Sequence, residues 1–126
     1  MSTLNVGTIK SLGSSAPVFQ NSSGVEKGQL AKAWIRFNGT GTVSISSAYG
    51  SFNISSITDN GTGNYLCSFT NNMSNINYVA MANAGRFAFS GTAANDYTVS
   101  AFKVRLSNIN GDAEDRSVIN AVVFGD

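Results

Sequence analysis

Residues 34–65 read WIRFNGTGTVSISSAYGSFNISSITDNGTGNY, and their pattern decides the fold class. The tetrapeptide Asn-Gly-Thr-Gly occurs twice, starting at Asn38 and at Asn60, with alternating strand-like runs before, between and after the two copies. Asn-Gly accepts the positive φ angles of tight hairpin turns, so each copy predicts a chain reversal between antiparallel strands. The flanking strands do not match each other and no third copy follows, so the motifs read as two hairpins and not as a repeat architecture. Before the first turn, Ala33, Ile35 and Phe37 share one strand face and Lys32, Trp34 and Arg36 the other. That second face is open to solvent or to a neighbour, with Arg36 placed to stack near the indole of Trp34. After the turn, Thr42 to Ser46 is expected to return as a strand with Val43 and Ile45 inward. Phe52 and Ile54 are expected on one face of the next strand, and the phase slip to Ile57 predicts a bulge near Ser55 and Ser56. Tyr65, Cys67 and Phe69 alternate beyond the second turn.

The same grammar continues outward. Asn71 to Asn75 is a polar loop, Tyr78 to Asn83 carries Val79 and Met81, and Arg86 to Ser90 places Phe87 and Phe89 on one face. Tyr97 to Ser107 is the longest alternating run, with Phe102, Val104 and Leu106 on one side. Ser117 to Phe124 is nearly all apolar and reads as a strand buried on both faces. On the amino-terminal side, Val25 to Ala33 is the one place where a helical turn is plausible, weakened by Gly28, and it is treated as a connector. Ser2 to Gln20 holds two short apolar snippets, around Leu4–Ile9 and Val18–Gln20, separated by the breaker cluster Gly13 to Pro17. Such an arm has too little apolar surface for a core of its own and must lie on its own domain, a sister subunit or a larger assembly. The expected architecture is all-β: an antiparallel β-sandwich, jelly-roll-like or Ig-like, of about seven to nine short strands. Residues 1–31 form an extended arm and connector, and residues 32–126 the head.

Composition narrows the functional classes. The 126 residues carry only 12% charged side chains and a net charge of +1, so no basic stripe exists for phosphate neutralisation and nucleic acid is not an expected partner. Low charge also gives a solitary monomer little protection against association, which favours a permanent assembly. No run approaches the length of a membrane span, and the amino terminus lacks the apolar core of an export signal; the expectation is cytoplasmic synthesis without membrane insertion. Histidine is absent and Cys67 is the single cysteine, which removes serine–histidine and zinc chemistry and leaves Cys67 as a buried apolar residue. Asp59, Asp96, Asp112, Glu114 and Asp115 lie in turns, where backbone hydrogen bonding explains them better than paired-carboxylate hydrolysis. The stretch Asn108 to Asp115 has the oxygen density of a calcium loop without the EF-hand order, and a solvated hairpin loop is the better reading. Gly39-Thr40-Gly41 lacks the lysine and helix of a phosphate cradle. No catalytic, cofactor-binding or metal-ligating residue is therefore assigned. Exposed aromatics remain: Trp34, Tyr49 and Tyr97 are placed to stack on sugars or anchor an interface, with core or intersubunit packing favoured.

The opening MSTLNVGTIK, the block AKAWIRFNGTGTVSISSAYGSFNISSITDNGTGNYLCSFTNNM and the ending INAVVFGD resemble the tail-fibre-like heads and short virion structural proteins of marine cyanobacterial phages. The resemblance covers most of the chain and rests on scaffold motifs, so it transfers no receptor-contact or catalytic residue. It implies a non-enzymatic virion protein, commonly a homotrimer, whose arm at the amino terminus attaches to other virion proteins. A host-surface glycan or protein is an expected partner. Since the chain has no long repetitive shaft, the alternatives are a tail-fibre tip or accessory tail component and a capsid decoration protein. A carbohydrate-binding module or lectin is the reading from outside that group.

Overall fold

The computed structural model describes residues 2–10, 17–45, 48–85, 89–91 and 94–125. The breaker residues 13–16, the 46–47 part of the loop before Gly50, the 86–88 part of the expected Phe87/Phe89 strand and residues 92–93 lie outside the described residues. The chain divides into two compact units, Met1–Leu30 and Ala31–Asp126. In the first, β1 (Phe19–Gln20) pairs antiparallel with β2 (Glu26–Gly28). The Val25 to Ala33 connector thus contains a strand, β2, in place of the helical turn its sequence allows. Asn21 explains the change: its side-chain oxygen accepts from the Ser23 and Val25 amides at 3.0 and 2.9 Å, closing a turn that pairs the flanking residues.

The second unit is an all-β sandwich of two four-stranded antiparallel sheets. One has the order β4 (Ser51–Phe52), β3 (Ala33–Phe37), β10 (Ile119–Phe124), β7 (Val79–Ala84). The other runs β5 (Ile54–Asp59), β6 (Asn64–Phe69), β9 (Ala101–Ser107), β8 (Phe89–Gly91). Period-2 alternation delivers one face of each sheet to a shared core. Ile35, Phe37, Ile119 and Val123 from the first sheet meet Tyr65, Cys67, Phe102 and Val104 from the second, all at most 1% exposed. At about 1.5–3 kcal/mol for each large apolar side chain taken out of water, this layer supplies the principal driving force of the fold.

The two Asn-Gly-Thr-Gly motifs behave differently. The second is the expected hairpin, with Asp59 opposite Tyr65 and the Gly61 amide donating to Asp59 Oδ1 at 2.9 Å. The first is not: β3 pairs with β10 and β4, and residues 42–45 form no strand, although Val43 and Ile45 do pack inward. Asn38 instead folds its own side chain onto Thr40, accepting from the amide at 2.9 Å and the hydroxyl at 2.8 Å. This Asx turn sends the chain away from β3, leaving that edge to the longer apolar partner β10.

Phe52 and Ile54 also separate. Asn53 lies at φ 55°, so the chain turns over between them and passes from one sheet to the other, leaving Phe52 52% exposed and Ile54 7%. Its amide group clamps the crossing. Nδ2 donates to the Lys32 carbonyl at 3.0 Å and the Asn71 carbonyl at 3.1 Å, and Oδ1 accepts from the Asn71 amide at 2.7 Å. The bulge expected near Ser55 is present between Ile54 and Ser56, and it restores Ile57 to the core side. β9 starts at Ala101, later than the run from Tyr97 suggested, because Thr98 caps it by accepting the Ala101 amide on its hydroxyl at 3.0 Å. β10 is central, but only Ile119, Ala121 and Val123 are fully buried; Asn120, Val122 and Phe124 stay half-buried. Only one face of β10 meets the opposite sheet, so the expected burial on both faces does not occur.

The Asn53 clamp makes a measurable prediction. Replacing Asn53 by Ala should cost about 2–3 kcal/mol in denaturant unfolding, combining lost hydrogen bonds with a left-handed backbone that alanine resists. Asn53→Gly should cost about 1 kcal/mol less, because it removes the bonds without that conformational penalty.

Candidate functional site

Both turn motifs converge on Tyr65. Alternation along β6 points its ring inward, edge-on to Phe37 with centroids 5.2 Å apart, and its hydroxyl emerges between residues of three loops. That hydroxyl donates to Asp115 Oδ1 at 2.5 Å and also lies 2.9 Å from the Gly39 carbonyl, which shares the proton. The Gly63 amide donates to the same Asp115 oxygen at 2.7 Å, while the Gly63 carbonyl accepts from Leu106 at 2.8 Å. Gly63 sits at φ 63°, and a Cβ there would run into the Leu106 carbonyl and the Glu114 backbone. Gly39 needs no special φ; its lack of a side chain leaves room for the Tyr65 ring and for Ile119, whose Cδ1 would lie 2.6 Å from a Cβ. Each motif therefore contributes one glycine to this group, Gly39 making room for the phenol and Gly63 for the Leu106 and Glu114 backbone beside Asp115.

The electrostatics fix this group in one state. Burial first, then the hydrogen bond to Asp115 and its charge, raise the Tyr65 phenol well above its ordinary value. The Tyr65 and Gly63 bonds hold the Asp115 carboxyl below the usual carboxylate range, outweighing the opposing effect of burial. A neutral phenol donating to a permanent carboxylate ties loops together and offers no nucleophile.

The other candidates are similarly occupied. Cys67 is fully buried, and burial pushes its thiol up to about 12, away from the reactive thiolate. Asp96, 2% exposed, accepts two bonds from Arg105 at 2.7 Å each, with Lys103 Nζ 3.7 Å away; a buried carboxylate is thus held by a solvent-exposed guanidinium, an ion pair beyond the turn chemistry that the sequence predicts. Glu114 pairs with Arg116 at 2.6 Å. In the Asn108 to Asp115 loop, Asn108 Oδ1 accepts from the Asn110 and Asp112 amides at 2.9 and 3.0 Å. Asn108 Oδ1 is thus spent on the turn, and among the described residues no group of three His, Cys, Asp or Glu side chains gathers as a metal site. In the Gly39-Thr40-Gly41 turn the Gly39 amide donates to Arg116 and the Thr40 amide to Asn38. No helix among the described residues is long and apolar enough to cross a membrane.

The aromatic candidates divide. Tyr97 is half-buried and packs edge-on to Tyr78 at 5.1 Å. Trp34 and Tyr49 remain 42% and 37% exposed, and Arg36 lies over the Tyr49 ring at 5.3 Å, not over the indole. Trp34 belongs to a larger feature that the alternation of β3 alone did not reveal. Across the outer face of its sheet, the register aligns Phe52, Trp34, Val122 and Met81 in one row, with Phe124 and Val79 paired one step along. Phe52, Val79 and Met81 are 52–58% exposed. The outer face of the opposite sheet carries Thr58, Leu66 and Lys103 in register, with Ser56 beside Ser68, so it is largely polar. One sheet faces outward as a soluble surface does, and the other presents apolar side chains. The sequence signal was the alternation of Val79 and Met81 with the alanines of β7, in which the larger residues point away from the core.

Removing the Tyr65 hydroxyl (Tyr65→Phe) should cost about 2 kcal/mol at neutral pH, since Asp115 and Gly39 lose their donor. The Asp115 contribution is fully present above the ordinary carboxylate value, about pH 4, and disappears as pH falls through its lower folded value. The stability gap between wild type and Asp115→Asn should therefore shrink on acidification below about pH 4. The raised Tyr65 value acts oppositely: its contribution is complete below about pH 10 and fades at higher pH, a dependence Tyr65→Phe should weaken. Addition of calcium or EDTA should leave the melting temperature unchanged.

Compared with known proteins, the chain matches no family model, no curated protein and no solved structure.

Proposed function

We propose that the protein is a non-enzymatic virion structural component: a tail-fibre-like head or accessory tail protein that assembles as a homotrimer. In this reading residues 1–31 attach to other virion proteins, and exposed loops of the head, around Tyr49 and around Asn95, meet the host-surface glycan or protein. The observation that carries the reading is the apolar outer face of the Trp34 sheet, a contiguous patch of the kind that marks an interaction surface. Two features support it. Charged residues are only 12% of the chain, which leaves little to oppose permanent association. The amino-terminal unit also exposes Leu4, Val6, Ile9, Val18 and Phe19, suiting a segment that is covered by another protein. Asp115, Asp96 and Cys67 are spent on a hydrogen bond, an ion pair and the core in turn.

The test is location and stoichiometry. Quantitative mass spectrometry of purified particles, with antibody labelling in electron micrographs, should find few copies per particle at the tail. Copies covering the shell would replace the tail assignment with capsid decoration, and absence from the particle would refute both. A glycan array probed with the purified chain distinguishes a host-surface sugar from a protein receptor.

A further inference from the structure

We infer that copies of this chain pack through the outer face of the β4-β3-β10-β7 sheet, head to tail, with the Val79 and Met81 end of one copy against the Trp34 and Phe52 end of the next. This deepens the homotrimer reading and rests on it, since it names the surface by which the ring closes. The argument begins with area. Trp34, Phe52, Val79 and Met81 each leave 42–58% of their surface exposed. With half-buried Val122 and Phe124 they present roughly 500 Å² of apolar surface, taking about 150–250 Å² for a whole aromatic side chain. In a ring of three each copy gives half of this patch to either neighbour, so each contact hides about 500 Å² of apolar surface counted over both partners and the closed ring about 1,500 Å², the total that one standard interface buries.

Charge and chemistry select a second copy as the occupant. None of the four strands contains an acidic residue, and Arg36, at the aromatic end, is already stacked on Tyr49. A basic partner gains no counter-charge here, and an acidic partner finds a largely neutral row. A sugar would need free polar groups beside the rings, but the neighbours of Trp34 in the row are Phe52 and Val122. The nearest amides, Asn120 and Asn83, bond to each other at 2.9 Å. The two ends of the row are chemically different and complementary. Indole and phenyl edges at one end suit the thioether of Met81 at the other, a favourable sulfur–aromatic contact. Twofold packing of the aromatic ends would bring Arg36 against its own copy, whereas head-to-tail packing sets it against the uncharged β7 end. A closed ring of three places the three outer faces around the symmetry axis.

Trp34 is the chain's single tryptophan, so its fluorescence reports this face directly. Sedimentation of the full-length protein at micromolar concentration should give three chains, with Trp34 emission moving to longer wavelength on dilution. Met81→Lys and Phe52→Lys should each weaken assembly on the order of 100-fold and give folded monomers with unchanged circular dichroism. Ile109→Lys, at a loop position 69% exposed, should remain trimeric. If both face variants stay trimeric, this inference fails while the trimeric reading stands. If Leu4→Lys with Ile9→Lys dissociates the assembly and the face variants do not, the contact belongs to the amino-terminal unit and the inference is again overturned. A wild-type monomer would refute the trimer itself, and a two-chain particle would refute head-to-tail closure.

Discussion

The proton held between the Tyr65 hydroxyl and the Asp115 carboxylate is the interaction on which one end of the sandwich depends. Three connecting segments reach it: the turn after β3 through Gly39, the β5–β6 hairpin through Gly63, and the β9–β10 connection through Asp115 itself. These segments belong to both sheets, so the group acts as a cross-sheet tie at a point where the apolar core has given way to backbone. Its low-dielectric surroundings strengthen each bond, and they also make any unpaired member expensive. That is why close approach, and so glycine, is required at two separate positions.

At the same end the two Asn-Gly-Thr-Gly motifs show how one local signal has two outcomes. Turn chemistry is legible in sequence because it depends on residues within four positions. The pairing partner of a strand is not, because it depends on which other strand buries more surface beside it. Asp59 to Gly63 lies between strands whose best partners are each other, and the hairpin forms as read. After Phe37 the better partner is β10, remote in sequence but longer and more apolar than the segment after the turn, so the same tetrapeptide closes only an Asx turn. The inward faces of β3, β6 and β9 were legible for a similar reason: alternation reports a face without needing to know the neighbour.

What the sequence concealed lies where two strands must be known together. The row from Phe52 to Met81 is assembled from four strands, and no single one of them announces that its outer residues join an apolar surface. Alternation places Phe52 on one face with Ile54, because nothing local marks Asn53 as a residue of positive φ that turns the chain over. Asp115 likewise looked like any acidic loop residue, since its partner is Tyr65 and not a neighbour in sequence. Composition alone removes histidine and paired cysteine, and this much needs no neighbour to read. The proposed virion role rests on the resemblance alone, and the outer face suggests how such a role would be built.

The position of β10 has a consequence for biosynthesis. It comes after both β3 and β7 in chain order, yet it lies between them and hydrogen-bonds to both. Until residues 119–124 have left the ribosome, β3 and β7 have no shared partner, and the first sheet cannot close over Tyr65 and Phe102. The β5–β6 and β8–β9 hairpins can pair early, but half of the core must wait for one late, long-range event. During that interval both faces of the unfinished sheet expose apolar residues to other nascent copies. Synthesis of neighbouring chains on one message therefore sets two processes in competition, completion of each head and premature contact between heads, and the rate at which β10 inserts decides between them.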